Sequence, residues 1–389
     1  MSACEIENLL TRRFVEAYER KPAACSWAPG RVNIIGEHTD YNGGYVLPVS
    51  IGKRIFAAAA PGGTGTVRLR SGNLKGEIVF ELHAINSAGD WGDYPKGIVA
   101  KLLAREFPVS GFDAFFLSDL PIGAGVSSSA AMEVVVCYLM QELFGFAIPP
   151  EDSAQLCQQA EHEFAGTQCG IMDQFVSVMG REGSALFLDC RTMEHRHIPL
   201  PLGDYMLIAC DSRVKRGLVS SEYNRRRAEC EQGARALNQR FGGVRELRDV
   251  TLSQLEECRQ DMPENIFRRC RHVVSENERV LASVEAMEHN DIERLGALMN
   301  RSHDSLRDDY EVSCAELDVL VETARNVEGV FGSRLTGAGF GGSTITILHR
   351  ACVEAFQTTV AETYLETFGT VPRFFECAPA SGAEQGRTT

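Results

Sequence analysis

Three glycine-rich segments, far apart in the chain, restrict what this sequence can fold into more than any other feature. They are Pro29–Gly44, Pro121–Ala131 and Thr336–Ser343. Glycine loses more backbone entropy on ordering than any other residue, so clusters of it need a compensating reason. Either a ligand or another stretch of chain must approach the backbone closely there. Glycine is also the one compositional excess, at 36 of 389 residues.

The second segment, Pro121-Ile-Gly-Ala-Gly-Val-Ser-Ser-Ser-Ala-Ala131, lies between a predicted strand, Asp113–Ser118, and a strongly apolar predicted helix, Ser128–Phe144. Gly123 and Gly125 let backbone amides come close to a ligand, and Ser127, Ser128 and Ser129 add hydroxyls at the helix start. Helix N-termini carry unpaired amides and a positive dipole end, which suits phosphate. A plain glycine turn with a serine cap accounts for the same residues. No Gly-Lys-Ser/Thr follows, so this is not a Walker A loop, and Ser128 stands where a dinucleotide fingerprint has its third glycine. In the last segment, Thr336-Gly-Ala-Gly-Phe-Gly-Gly-Ser343, a tight turn before the predicted strand Ser343–Leu348 explains two of the glycines but not all four.

The first segment packs Arg31, Glu37, His38 and Asp40 among glycines, apolar residues and two asparagines. Two carboxylates, an imidazole and two amides on one loop can hold several hydroxyls at once, as a sugar site requires. A metal site from Glu37, His38 and Asp40 is the rival, weakened because adjacent residues do not easily face one ion. Glu161 falls on the same helical face as Cys157, Ala160 and Phe164, so it must be paired or hold a cation such as Mg²⁺. Asp173, in Cys169-Gly-Ile-Met-Asp-Gln-Phe175, has no basic neighbour in sequence and reads as a helix cap or a general base. His195-x-His197 fits a surface strand, and Arg225–Arg227 a solvated helix face.

Charge and length narrow the class. The formal charge of −14 repels phosphate backbones and argues against nucleic-acid binding. No run approaches the roughly 18 apolar residues of a membrane helix, and the first residues show no secretory signal. The 13 cysteines include no C-x-x-C pair and read as reduced, mostly buried thiols of a cytoplasmic protein. Length suggests two domains, placed at 1–200 and 201–389, with Met206–Cys210 opening the second.

Helical spacing marks Ile6–Tyr18, Pro95–Glu106, Pro150–Phe164 and most of Ser221–Glu328. Strands are expected at Cys25–Ala28, ended by Pro29-Gly30, and at Ile55–Ala60, Val67–Ser71 and Glu77–Leu82, with Pro61-Gly62-Gly63 as a hairpin turn. Residues after Ala378 are small and polar and are expected to fray or be disordered. Strands and helices mix without strict β-α-β alternation, which favours α+β.

Together the three segments resemble the signature motifs of the GHMP small-molecule kinases. More narrowly, Gly30-Arg-Val-Asn-Ile-Ile-Gly-Glu-His-Thr-Asp-Tyr-Asn-Gly-Gly44 is similar to the galactokinase signature. Ala160–Gly166, Cys169–Phe175, Lys215–Leu218, Ser221–Tyr223 and Ser305–Ser313 resemble galactokinases in the same order. The resemblance implies a two-domain fold, N-terminal ribosomal-protein-S5-domain-2-like and C-terminal ferredoxin-like, with the active site in the cleft between them. It implies transfer of the γ-phosphoryl group of MgATP to the C1 hydroxyl of α-D-galactose, the first committed step of galactose catabolism by the Leloir pathway.

By motif, Glu37, His38, Asp40, Gly170 and Tyr223 would contact the sugar, with Asp40 reading the axial 4-hydroxyl. Asp173 would be the base at the anomeric hydroxyl, with Arg31 countering negative charge beside it. Gly123, Gly125, Ser127, Ser128 and Gly339 would serve the nucleotide, and Ser129 and Glu161 would hold Mg²⁺. Implied partners are galactose and ATP, in a monomer or weak homo-oligomer that binds neither nucleic acid nor membrane. Ser343 and Val126 depart conservatively from the family's usual cysteine and leucine. A kinase for another sugar, such as N-acetylgalactosamine, is the nearest alternative. A non-catalytic galactose and ATP sensor is a further one, disfavoured by the intact Ser127–Ala131 run. Mevalonate or homoserine kinase activity would share the glycine loops, but Glu37-His38-Thr39-Asp40 argues against it.

Overall fold

A computed structural model describes residues 3–386 apart from 64, 122, 201 and 215–218. The Lys215–Leu218 block therefore lies outside the described residues. Among those residues the strands form two sheets.

The first sheet contains β1 (Ala24–Ile35), β2 (Tyr45–Pro61), β3 (Thr66–Ser71), β4 (Ile78–Glu81), β5 (Phe112–Ser118), β6 (Ser184–Asp189) and β7 (His195–Pro199). The second contains β8 (Tyr205–Asp211), β9 (Val330–Thr336), β10 (Ser343–His349) and β11 (Arg373–Glu376), in the order β11-β8-β10-β9. The last strand, β12 (Glu384–Gly386), returns to the first sheet beside β1. The main path there is β12-β1-β2-β5-β3-β4, with β6 and β7 branching from β2.

The helices are α1 (Ala3–Tyr18), α2 (Asp93–Ala104), α3 (Ser128–Phe144), α4 (Pro150–Ala160), α5 (Met172–Met179), α6 (Val219–Phe241), α7 (Leu252–Glu257), α8 (Glu264–Glu288), α9 (Ile292–Asp308), α10 (Ala315–Arg325) and α11 (Val353–Phe368). None of the described helices is long and apolar enough to cross a membrane. The twelve cysteines from Cys25 to Cys377 are all free thiols.

Burial explains the patterns. α1 lays Ile6, Leu10 and Phe14 against Trp27, Phe56 and Phe115 on one face of the first sheet. α3 is apolar on nearly all sides because it crosses the other face, against β1, β2, α2, α4 and α5. β8 reads as a continuous apolar run because both its faces are covered. Leu207 and Ala209 join the main core, whereas Met206, Ile208 and Cys210 pack with Phe356, Val360 and Tyr364 of α11.

Five expectations need correction. β1 does not stop at Pro29-Gly30 but runs on to Ile35, with a register shift between Pro29 and Arg31. At that bulge the Arg31 amide donates to the Val126 carbonyl at 3.1 Å, and the Pro29 carbonyl accepts from the Ser177 hydroxyl at 2.8 Å. Distant partners thus satisfy what a local reading takes for a strand end. Pro61-Gly62-Gly63 is no hairpin turn, because β5 lies between β2 and β3. The helix from Pro150 ends at Ala160 and continues as a single π turn, Glu161–Ala165. Arg226 is not on a solvated face: it is buried, and Nε and Nη2 donate to the carbonyls of Tyr310 and Glu311. Finally, the tail is ordered to Gly386, pairing Trp27 with Glu384 and Cys25 with Gly386. His195 and His197 do lie on a strand, β7, each bonded to a backbone carbonyl.

Candidate active site

The three glycine segments converge on one cavity of about 760 Å³ between the two sheets. Every residue assigned a site role by motif lines it except Gly339.

Its centre is Asp173, in the first turn of α5. Arg31, delivered by the bulge in β1, donates from Nε to Oδ1 and from Nη2 to Oδ2, both at 2.7 Å. Nη1 of the same guanidinium donates to the Gly125 carbonyl at 2.8 Å, which fastens the glycine-serine loop to the acid. The Ser127 hydroxyl donates to Asp173 Oδ2. Arg31 is 4% exposed while the Asp173 side chain is 26% exposed, so the carboxylate faces the cavity and its cation lies behind it.

The glycine-serine loop has positive φ at Gly123, Gly125 and Ser127. Ser127 is the N-cap of α3 but makes no side-chain cap bond, and the first turn holds no acid. The first amides of α3 are thus free of a capping side chain at the cavity wall, where an anion would be favoured.

At the other end of the cavity Asp40 lies over Gly170. A Cβ on Gly170 would fall 2.0 Å from the Asp40 carboxyl carbon, so only glycine admits this approach. Burial, followed by the charge of Asp173, pushes the Asp40 carboxyl up to about 7. Glu37 is 1% exposed and accepts from Asn33 Nδ2 and the Gly337 amide, with Arg334 Nη1 at 3.5 Å.

Burial lowers His38 to about 3, so its ring is neutral. Nε2 lies 3.2 Å from the Ala338 carbonyl, which can only accept, so Nε2 carries the proton and Nδ1 accepts the Tyr41 hydroxyl at 2.7 Å. Both ring nitrogens are engaged within the protein, and the Tyr223 ring packs 5.4 Å away.

Ser129, in the first turn of α3, and Glu161, at the π turn, meet in the wall of the same cavity as Asp173. The π turn is closed by the Gly166 amide on the Glu161 carbonyl at 3.0 Å, and such turns recur at functional positions. The Ser129 hydroxyl lies beside the Glu161 carboxyl, whose pKa burial and the charge of Asp173 raise to about 7. Oε2 of Glu161 also accepts from Gln174 Nε2 at 2.6 Å and from Cys169 Sγ at 3.4 Å. Among the described residues no three His, Cys, Asp or Glu side chains converge as a metal site.

Gly339 sits behind the wall, where a Cβ would come 2.2 Å from the Val312 carbonyl. Gly337, Gly339, Gly341 and Gly342 all have positive φ, so backbone shape accounts for all four glycines of the last loop. That loop meets the Pro29–Gly44 segment through Gly337 on Glu37 and Ala338 on His38.

Sequence reasoning missed Tyr94, Cys169, Asp211, Arg213 and Arg373, which also line the cavity. Arg213 and Arg373 come together only through the pairing of Arg373 with Asp211 across β11 and β8. No local pattern marks either one.

Residues 12–61 match the galactokinase galactose-binding signature. The GHMP kinases N terminal domain matches residues 93–181 and the GHMP kinases C terminal domain residues 283–365. A galactokinase of Roseiflexus sp. (strain RS-1) is 45% identical over 96% of this chain and 95% of its own. One from Thermotoga maritima is 41% identical over 92% of this chain and 99% of its own. The crystal structure of Lactococcus lactis galactokinase complexed with galactose superposes with a TM-score of 0.94 at 34% identity, covering 97% of this chain and 99% of that one. Mevalonate kinase of Methanococcus jannaschii, at a TM-score of 0.66 and 18% identity, shares the fold. Likeness at this level spans both sheets and every segment that builds the cavity, and the chain belongs to the galactokinase family of the GHMP kinases.

Proposed function

We propose that the protein transfers the γ-phosphoryl group of ATP to the C1 hydroxyl of α-D-galactose, giving galactose 1-phosphate and ADP. The observation that carries this reading is the Arg31–Asp173 pair. It presents one carboxylate to the cavity between a free helix N-terminus and a hydroxyl-binding loop.

Phosphoryl transfer needs in-line positioning and charge neutralisation more than covalent help. Galactose lies over Gly170 with Asp40 accepting its 4-hydroxyl, and Glu37, His38 and Tyr223 shape the surrounding wall. Its C1 hydroxyl displaces the Ser127 hydroxyl from Asp173 Oδ2 and passes its proton to that oxygen. The C1 oxygen attacks the γ-phosphorus, the bond to the β,γ-bridging oxygen breaks, and ADP leaves. Arg31 stays on both carboxylate oxygens and holds the group in line. Gly123, Gly125, Ser127, Ser128 and the first amides of α3 bind the phosphates. Gly339 serves this side indirectly, by shaping the loop that carries Ala338.

Ser129 and Glu161 suit a Mg²⁺ ion, since their hard oxygens adjoin and the buried Glu161 carboxyl has no cationic partner among the described residues. Held by these two residues, the ion would supply charge neutralisation at the phosphates.

Phosphorus NMR of the reaction with galactose and MgATP tests the proposal: an anomeric phosphate is expected, and its absence overturns the reading. A coupled ADP assay over a sugar panel accompanies it. Preference for N-acetylgalactosamine would reassign the acceptor, and loss of activity on glucose is expected because a site pairing the axial hydroxyl leaves Asp40 unsatisfied with the epimer.

A further inference from the structure

One buried acid beside the site has no task in that scheme. Glu133 lies in α3 four residues after Ser129, so the two side chains share a face of the helix. It is fully buried, and its Oε1 has no hydrogen-bond partner. Its Oε2 accepts from Gln174 Nε2 at 3.0 Å. The same nitrogen donates to Glu161 Oε2 at 2.6 Å. Gln174 is also fully buried, directly follows Asp173 on α5, and leaves its own Oε1 unpartnered.

An amide NH₂ has two hydrogens, and here each goes to a different carboxyl group. One side chain therefore ties together α3, the π turn and α5, the three elements that bring Ser129, Glu161 and Asp173 to the cavity. For folding alone the arrangement is unfavourable, since two buried acceptors go without donors where apolar side chains would fill the same space. Its benefit lies at the cavity end of the chain of contacts, on Glu161.

We propose that Gln174, anchored by Glu133, is a positioning residue for the divalent-cation site, fixing the Glu161 carboxylate beside Ser129. The inference rests on the phosphoryl-transfer reading above. Partners behind a ligating carboxylate set its orientation, and their loss typically costs about 10–100-fold in metal affinity.

The test compares Gln174→Met, Glu133→Leu and Glu133→Gln with the wild type. Mn²⁺ binding in the presence of ADP is followed by electron paramagnetic resonance, and galactose binding by calorimetry. Gln174→Met and Glu133→Leu are expected to weaken Mn²⁺ binding at least fivefold and to raise the half-saturating Mg²⁺ concentration in parallel, with galactose affinity within twofold. Glu133→Gln keeps an oxygen for the Gln174 amide and should recover most of the loss. Unchanged Mn²⁺ affinity in folded Gln174→Met overturns the inference, as does an equal loss of Mn²⁺ and galactose affinity. If Glu133→Leu does not fold, Gln174→Met decides alone. Wild-type protein that fails to bind Mn²⁺ with ADP would instead count against the phosphoryl-transfer reading itself.

Discussion

Arg31 and Asp173 are 142 residues apart in the chain and meet through two parallel 2.7 Å hydrogen bonds. The fork geometry fixes the plane of the carboxylate as well as its position. A third bond, from Arg31 to Gly125, sets that plane relative to the loop proposed to carry phosphate. Asp173→Asn preserves shape while removing the proton acceptor. Since general-base catalysis typically contributes about 10²–10⁴-fold, kcat should fall by at least about a hundredfold. Galactose affinity, measured by calorimetry, should change far less. Turnover within tenfold of wild type would remove Asp173 from the role of base.

Gly170→Ala tests the sugar end. The added methyl would lie 2.0 Å from the Asp40 carboxyl carbon, a distance no small adjustment accommodates. Overpacking of this kind costs about 1–3 kcal/mol, and here it falls on the group proposed to read the 4-hydroxyl. The expected result is a KM for galactose raised at least about tenfold, with the KM for ATP nearly unchanged. Equal effects on both would mean that the residue supports the whole cleft and not the sugar subsite.

Asp40 also predicts a pH dependence. Its pKa is raised to about 7 by burial and by the charge of Asp173, so it binds a proton below that pH and is ionised above it. The ionised form accepts hydroxyl hydrogens with both oxygens. Accordingly kcat/KM for galactose should rise as pH increases from 6 to 8, approaching a tenfold change per unit on the acid side. A flat profile across that range would show that the carboxyl stays in one state, or that it does not meet the sugar.

Much of this was legible in the sequence, and the rest fails for physical reasons. α3 was readable because a helix crossing a sheet is apolar on most sides, and its start and end at Ser128 and Phe144 coincide with the predicted ones. The residues of the cavity were readable because glycine clusters beside charges need a partner. The course of β1 past Pro29 was not, because the bulge is held by Val126 and Ser177, both far away in sequence. In the last loop the close approach expected from the glycines is made by another stretch of chain. Gly339 looks like a ligand contact, but it is required by positive φ and by the Val312 carbonyl behind it. Arg213 and Arg373 reach the cavity only through sheet register, which no single segment encodes.

The C-terminal residues give the last prediction, because composition and structure disagree most sharply there. Residues after Ala378 are small and polar, yet they pack along the segments that carry the site. The Ala380 amide donates to the Ser50 carbonyl at 2.9 Å, Gly382 to Gly180 at 2.8 Å and Ala383 to Ser177 at 2.8 Å. The Ser50 hydroxyl donates to Ala380 in return. Gly382 passes so close to Val178 that a Cβ would sit 2.1 Å from its carbonyl oxygen. β12 then covers the edge of β1, the strand that delivers Arg31. At about 1 kcal/mol net per hydrogen bond, removing residues 379–389 should cost roughly 4 kcal/mol from the four inward bonds alone. The expected outcome is a clear drop in the unfolding midpoint by calorimetry, together with lower kcat as β1 loosens. An unchanged midpoint would mean that the tail is a passenger on the sheet, and that the bulge at Arg31 holds its shape without it.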